Sequence, residues 1–190
     1  MKQLFDYISK RIDLSEDVKK FTKSVSTVKK LKKGDVLIEE NQNVNKTYFV
    51  IDGCLRSYVF DSQGKEHTLQ FALKNNWISD YIAIFNNEKS SQTVECIADS
   101  IVVETSVSEG IENIFLRFPK IESIHRKNLE RNIISLQKRI LNQLQLTSLD
   151  RYKIFLKQYP EIEKYALNYH IASYLGITQQ SLSRIRASYK

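Results

Sequence analysis

The sequence predicts an α+β protein: an N-terminal β-roll with flanking helices, one long helix, and a C-terminal helical domain ending in a helix-turn-helix. Three observations predict it. Short runs rich in Val, Ile, Tyr, Phe and Thr alternate with turns from about residue 26 to 106, the texture of a sandwich or rolled barrel. After Gly110 that texture stops, and Pro119 precedes a long segment with apolar residues at intervals of four and three. Finally, Asn168 to Ala187, NYHIASYLGITQQSLSRIRA, has the spacing of two helices packed about a glycine turn. These divisions suggest a sensor roll over residues 1–118, a dimerisation helix over 119–146 and a helix-turn-helix domain over 147–190.

In chain order, Leu4, Phe5 and Ile8 recur at helical spacing. Ser15 stands where it can cap a second short helix, with Glu16 and Asp17 in the first turn favoured by the helix dipole. Strands are expected at 27–31, 36–40, 47–52, 54–60, 66–72, 93–98 and 100–106. Turns are expected at Lys33-Gly34-Asp35, Asp52-Gly53, Asp61 to Gly64 and Asp99-Ser100. The long helix should run from Lys120 to Gln145, nearly ~40 Å at 1.5 Å per residue. Leu129, Ile133, Leu136, Ile140 and Leu144 form one apolar line on it, with Ile134 and Leu141 beside them. Two lines allow the helix to pack on its own domain and on a second copy, so a parallel coiled-coil seam is expected; the competing arrangement is a helix packed only on its own roll. A break at Thr147 to Asp150 starts another helix with Tyr152, Phe155 and Leu156 inward, ended at Tyr159-Pro160.

Within the final motif, Ile171 and Ala172 face inward, and Ala172 is small enough for close helix contact. Leu175 ends the first helix, and Gly176 turns the chain where a left-handed backbone disfavours a Cβ. Ile177 fills the space below, Thr178 is a suitable N-cap, and Leu182 and Ile185 bury the second helix. Gln179, Gln180, Ser181, Ser183, Arg184 and Arg186 remain outward, side chains suited to base edges and phosphates. An ordinary helical hairpin is the competing reading.

Charge is divided unevenly. Residues 1–110 hold 15 Lys+Arg and 16 Asp+Glu, a net of −1, whereas residues 111–190 hold 14 and 6, a net of +8. The positive excess therefore lies with the helix-turn-helix, as phosphate neutralisation requires. A hydrophobic content of 42% and a charged content of 27% fit a globular chain, and no apolar run approaches the ~18 residues of a membrane helix. The acidic, interrupted N-terminus shows no secretory h-region, and a cytoplasmic address is expected. Cys54 and Cys96 lie in strand-like runs and read as buried thiols, too few for a four-thiolate site.

A roll, a long helix and a C-terminal helix-turn-helix resemble the Crp/Fnr superfamily of bacterial transcription regulators. The resemblance covers essentially the whole chain, and rests on KKGDVLIEEN (32–41), TYFVIDGCLRSYVF (47–60), DSQGKE (61–66), SLDRYKIFLKQYPEI (148–162) and above all IASYLGITQQSLSRIR (171–186). It implies a cyclic-nucleotide-binding-domain-like roll of double-stranded β-helix or jelly-roll type. It also implies a homodimer on a two-fold symmetric double-stranded DNA site, a signal sensed by the roll and relayed by the long helices, and RNA polymerase as a further partner if the protein activates.

Where the sequence departs from the family, the implied chemistry changes. Cyclic-nucleotide binders of this kind carry a cassette opening with Gly-Glu and closing with Arg-Ser/Thr-Ala. The matching stretch, WISDYIAIFNNEKSSQTVECIA (77–98), has Ser79 and Asp80 at the opening, Ser90 and Ser91 in place of the Arg, and Lys89 as the nearest cation. Losing the guanidinium removes a bidentate pair to phosphate, so no tight cyclic-AMP binding is expected. The candidate pocket for another small molecule takes Ser79, Asp80, Ser90, Ser91 and Thr93, with Leu136 and Gln137 from the long helix. No resident cofactor or metal is expected: no cysteine cluster stands near the N-terminus, and His67, His125 and His170 are scattered, each reading as a surface or capping histidine. The family's β-hairpin wing after the recognition helix has no counterpart before Lys190, so it is absent in this branch or lies beyond the given sequence; its loss would remove phosphate contacts rather than base reading.

The expected DNA contacts follow from helix geometry. Gln179 and Gln180 lie toward base edges, where glutamine pairs with adenine, and Arg184 is the candidate for guanine O6/N7. Ser181 and Thr178 touch phosphate with the helix-start N–H groups, and Arg186, Tyr169 and Lys190 are phosphate or packing candidates. For Arg184 the competing role is a salt bridge to an acid on a neighbouring helix. Three other functions compete with this one. A cupin-type enzyme needs clustered histidines, and only His67 lies in the roll. A cyclic-nucleotide regulatory subunit needs the cassette Arg. A ligand-binding module with a degenerate helix-turn-helix is the alternative that remains.

Overall fold

The computed structural model describes residues 1–189; Lys190, a candidate phosphate contact above, lies outside the described residues. Helices α1 (Lys2–Ser9) and α2 (Glu16–Val25) precede the roll. Its elements are β1 (Ser26–Leu31), β2 (Val36–Ile38), β3 (Lys46–Asp52), β4 (Leu55–Phe60), β5 (Glu66–Ala72), β6 (Trp77–Ile78), α3 (Tyr81–Asn86), β7 (Thr93–Cys96) and β8 (Ser100–Ser106). The strands form two antiparallel sheets in the orders β1-β8-β3-β6 and β2-β7-β4-β5. Tyr48, Val50, Leu55, Ala72, Ile78, Val94 and Val102 close the space between them. That space is a packed core, because alternate residues of both sheets are apolar and point inward.

Two roll elements escape the sequence pattern. β6 is two residues long and α3 only six, both too short to show a period. The expected strands at 36–40 and 93–98 are also shorter, ending at Ile38 and Cys96. At the Asp52-Gly53 turn, Gly53 has φ +87 and a Cβ there would lie 2.5 Å from the Asp99 carbonyl, so the close approach of two turns requires glycine. Ser15 occupies the N-cap position of α2, but its side chain makes no capping bond.

After the roll come α4 (Ile111–Arg117), the 27-residue α5 (Pro119–Gln145) and α6 (Ser148–Gln158), then a 3-10 turn, α7 (Asn168–Leu175) and α8 (Gln179–Tyr189). Proline at the first position of α5 costs no hydrogen bond, since that N–H has no helical partner. Thr147 caps α6 by accepting the Asp150 N–H at 3.2 Å. The last three helices do not pack by themselves. Tyr152, Phe155, Ile171 and Leu182 share one cluster with Cys54, Phe71 and Ile97 of the roll. Phe71 lies 6.0 Å from Phe155 and 5.4 Å from Tyr174, ring centre to ring centre. Burying these rings is worth about 1.5–3 kcal/mol each, so the helical domain is held firmly on the roll.

Candidate functional site

The helix-turn-helix forms as its residues dictate. Gly176 takes φ 67 and ψ 37, the left-handed conformation that ends α7. Ile171 and Ala172 are buried beneath it, and Leu182 fixes α8 from below with Ile185 partly covered. Thr178 Oγ1 accepts the Ser181 N–H at 3.1 Å, a regular N-cap. Its hydroxyl also lies 3.0 Å from Ser181 Oγ, so both hydroxyls are engaged within the cap.

The outward residues then separate into two groups. Gln179, Gln180, Ser183 and Arg184 are exposed. Arg184 has no ion-pair partner among the described residues, so the acid that could have claimed it is not there. Arg186, two residues on, has that role instead. Its Nη2 lies 2.6 Å from Glu163 Oε1, its Nε donates to Tyr152 Oη at 3.2 Å, and it also bonds Asn168. Arg186 thus ties α8 to α6 and to the start of α7. Tyr169 is part-exposed, with the Arg56 guanidinium 5.7 Å from its ring centre.

Sequence reasoning missed the residues that hold this unit against the roll. Ser173 Oγ donates to the Glu66 carbonyl at 2.9 Å and accepts the Thr68 N–H at 2.8 Å. Arg139 of α5 donates to the Leu69, Thr68 and Tyr174 carbonyls at 2.7, 3.1 and 2.9 Å, joining long helix, roll and α7. Arg56 is only 1% exposed and pairs with Glu66 and Glu95 on the two neighbouring strands. A buried Arg flanked by two carboxylates is costly to break, since either loss leaves a charge unpaired. The one sequence signal was a charged residue within the apolar run LRSYVF, with Glu95 opposite it on β7; on β5 that register holds Phe71, and Glu66 stands opposite Phe60.

On α5 the proposed seam residues stand clear of the chain's own core. Ile133, Leu136, Ile140 and Leu144 are 55%, 53%, 57% and 78% exposed, and Ile134 and Leu141 are half exposed; Leu129 is partly covered. Only Ile124 of this helix is fully buried. A contiguous apolar line of this length is unusual on a solvated surface.

Between α5 and the roll lies a cleft of about 520 Å³. Ser79, Asp80 and Leu136 line it, as the sequence reading expected, but Ser90, Ser91, Thr93 and Gln137 do not. The correction has a physical reason. Asp80 is fully buried as the N-cap of α3, where its carboxylate accepts the Ala83 and Ser91 N–H groups at 3.1 and 3.0 Å. The Ser90 and Ser91 hydroxyls lie 2.9 and 3.2 Å from the same carboxylate. The serines therefore serve the cap rather than the cleft. Burial pushes the Asp80 carboxyl up, but these four hydrogen bonds outweigh it and hold the acid below its ordinary range. A negative charge thus sits at the head of the cassette, which disfavours a phosphate there. Gln137 lies one residue beyond Leu136, about 100° further round the helix, and faces solvent.

Of the remaining candidates, His67 is at the surface, its side chain 43% exposed, and the others are internal. His67 is paired with Asp61 Oδ2 at 2.8 Å in the roll's hairpin turn. His125 is not a surface group: Tyr81, Phe85 and Phe115 ring it, and burial lowers its pKa to about 4. His170 is buried and accepts the Leu167 N–H, a capping role, with burial and then Arg56 and Lys33 lowering its pKa to about 3. Cys54 and Cys96 are buried free thiols. Among the described residues, no group of three or more His, Cys, Asp or Glu side chains is placed to hold a metal, and no helix is long and apolar enough to cross a membrane.

Comparison with known proteins agrees with this geometry. Residues 28–114 match the cyclic nucleotide-binding domain family. No curated protein matches the chain by sequence. Among solved structures, a CooA mutant from Carboxydothermus hydrogenoformans is 19% identical, with 92% of this chain and 80% of that one covered and a TM-score of 0.69. FixK2 from Bradyrhizobium japonicum is 19% identical, with coverage of 86% and 84% and a TM-score of 0.72. A protein of Eubacterium rectale assigned to the Crp/Fnr family of transcriptional regulators is 18% identical, with coverage of 93% and 84% and a TM-score of 0.73. The class is therefore a cyclic nucleotide-binding-domain roll carried with a helix-turn-helix. Over nearly its whole length the chain has the fold of the Crp/Fnr transcription regulators, the resemblance already read in its sequence.

Proposed function

We propose that this chain is a sequence-specific, DNA-binding transcription regulator that acts as a homodimer on a palindromic site and whose roll does not bind cyclic AMP. The observation that carries this reading is the outer face of α8. Gln179, Gln180, Ser183 and Arg184 are exposed on a capped helix, and Arg184 has no carboxylate partner among the described residues, whereas Arg186 beside it has one. With the start of α8 in the major groove, the two glutamines meet base edges and Arg184 meets a guanine one turn on. The Thr178 and Ser181 hydroxyls serve the cap, so phosphate contact at this end falls to the backbone N–H groups. The exposed line on α5 supports pairing with a second copy, which would set the two recognition helices roughly 34 Å apart.

The Asp80 carboxylate and the missing guanidinium support the reading without cyclic AMP. Binding, rather than catalysis, fits a roll whose polar groups are bonded to one another, and a cytoplasmic address fits DNA as the partner. The discriminating experiment compares wild type and Arg184→Ala on a selected site and on a scrambled duplex. Loss of about 1–3 kcal/mol on the selected site alone supports base reading. Equal loss on both assigns Arg184 to phosphate, and no effect on either removes α8 from the interface.

A further inference from the structure

A second cleft, of about 360 Å³, lies between α5, α6 and α7. Arg131, Lys138, Arg139 and Arg151 line it, and no Asp or Glu does. None of the four has an ion-pair partner among the described residues. Arg139 and Arg151 donate to uncharged acceptors only: carbonyls for Arg139, and the Leu146 carbonyl and Ser148 Oγ for Arg151. The Arg151 Nε is buried with no acceptor at all. Arg131 and Lys138 are exposed on one side of α5 about two turns apart, able to turn inward. Four like charges about one concavity repel one another and focus a positive potential, which a compact anion relieves. The volume lies in the range of ligand sites. A convex duplex backbone does not fill such a recess, but a small molecule does.

We infer that this cleft binds a small phosphorylated anion carrying at least two negative charges. Arg131 and Lys138 supply the charges free to close on it, and Arg139 and Arg151 the fixed positive floor. Arg139 is shared between this cleft and the bonds that join β5 to α7, so the anion draws on the same guanidinium that docks the helix-turn-helix on the roll. No cassette residue lines this cleft, and Arg131 and Arg139 also border the cleft between α5 and the roll; the titration needs no DNA, so it stands or falls apart from the DNA reading.

The test is calorimetric titration of the full chain at low salt with pyrophosphate, with adenosine 5′-diphosphate, and with adenosine as the uncharged comparison. One pyrophosphate or diphosphate per chain is expected, with no heat from adenosine. Preference for the nucleotide over pyrophosphate assigns the ligand to the nucleotides, and equal affinity assigns it to compact phosphates. Arg131→Ala with Lys138→Ala should weaken binding tenfold or more, with an unchanged melting midpoint because both side chains are exposed. Lys157→Ala, which removes an exposed charge outside the cleft, should leave it unchanged. Absence of binding at millimolar ligand overturns the inference. So does equal weakening by Lys157→Ala, which would show only general attraction to a basic surface.

Discussion

Ser173 in α7 accepts the backbone N–H of Thr68 in β5 at 2.8 Å, across 105 residues of sequence. β5 is an edge strand, paired with β4 on one side only, and the N–H groups on its open side have no ladder partner. The first helix of the helix-turn-helix thus completes the sheet of the roll, and Arg139 adds three bonds at the same junction. The orientation of α8, which packs on α7, is set by the roll through this contact, not by the long helix alone.

Replacing Ser173 with Ala leaves the buried Thr68 N–H without an acceptor, at about 1–3 kcal/mol. Amide exchange at Thr68 should quicken strongly while Val50 and Val102 in the roll core stay protected. Unchanged exchange at Thr68 would mean that the docking is held by the aromatic cluster around Phe71 alone.

Arg186→Ala should behave differently from Arg184→Ala. Arg186 connects Glu163, Tyr152 and Asn168, so its removal should lower stability by about 1–2 kcal/mol in urea and weaken all duplexes together. Arg184→Ala should leave the urea midpoint where it is. A stability loss in both variants would place Arg184 inside the fold.

Ile133→Asp with Ile140→Asp should yield a folded monomer. Both residues are more than half exposed, so circular dichroism should not change, while sedimentation should report half the mass. An unchanged sedimentation coefficient would remove the seam from α5.

Acid should destabilise the protein in a defined window through His125. Its folded pKa lies near 4, below the ordinary 6.5, because the native state buries the neutral ring. Between those values the unfolded chain binds a proton that the folded chain does not, so stability is complete above pH 6.5 and falls as pH drops toward 4. His170, lowered to about 3, acts in the same direction. The urea midpoint should decline over that interval, and His125→Phe should flatten the decline. A midpoint that is flat in wild type would contradict the burial of these rings.

Much of this was legible in the sequence for local reasons. Gly176, Thr178 and Leu182 act within a few residues of one another, so their spacing alone specifies the turn, the cap and the buried face. Ile133 and Ile140 declare an apolar line by period, and the structure leaves that line uncovered. What was not legible depends on residues far apart. Ser173 reads as an ordinary helix serine until β5 is beside it, and Arg139 as one of many basic residues until three carbonyls converge on it. Asp80, Ser90 and Ser91 were grouped correctly in space, since they do meet. Polar types at a binding-cassette position do not reveal whether they face a ligand or one another, and here they satisfy an α3 cap. The same ambiguity separates Arg184 from Arg186, two residues of one type on one helix, with a carboxylate within reach of only the second.

A pair of α8 helices reading base sequence would recognise a two-fold symmetric site. The measurement that tests this most directly is selection from a pool of random-core duplexes by the purified full chain, with the bound fraction sequenced at two salt concentrations. Enrichment of a palindrome whose half-sites are centred about one helical turn apart is expected, with affinity falling as salt rises. Salt-sensitive binding with no enriched sequence, or no binding at low salt, would contradict it and favour a ligand-binding module whose helix-turn-helix no longer reads DNA.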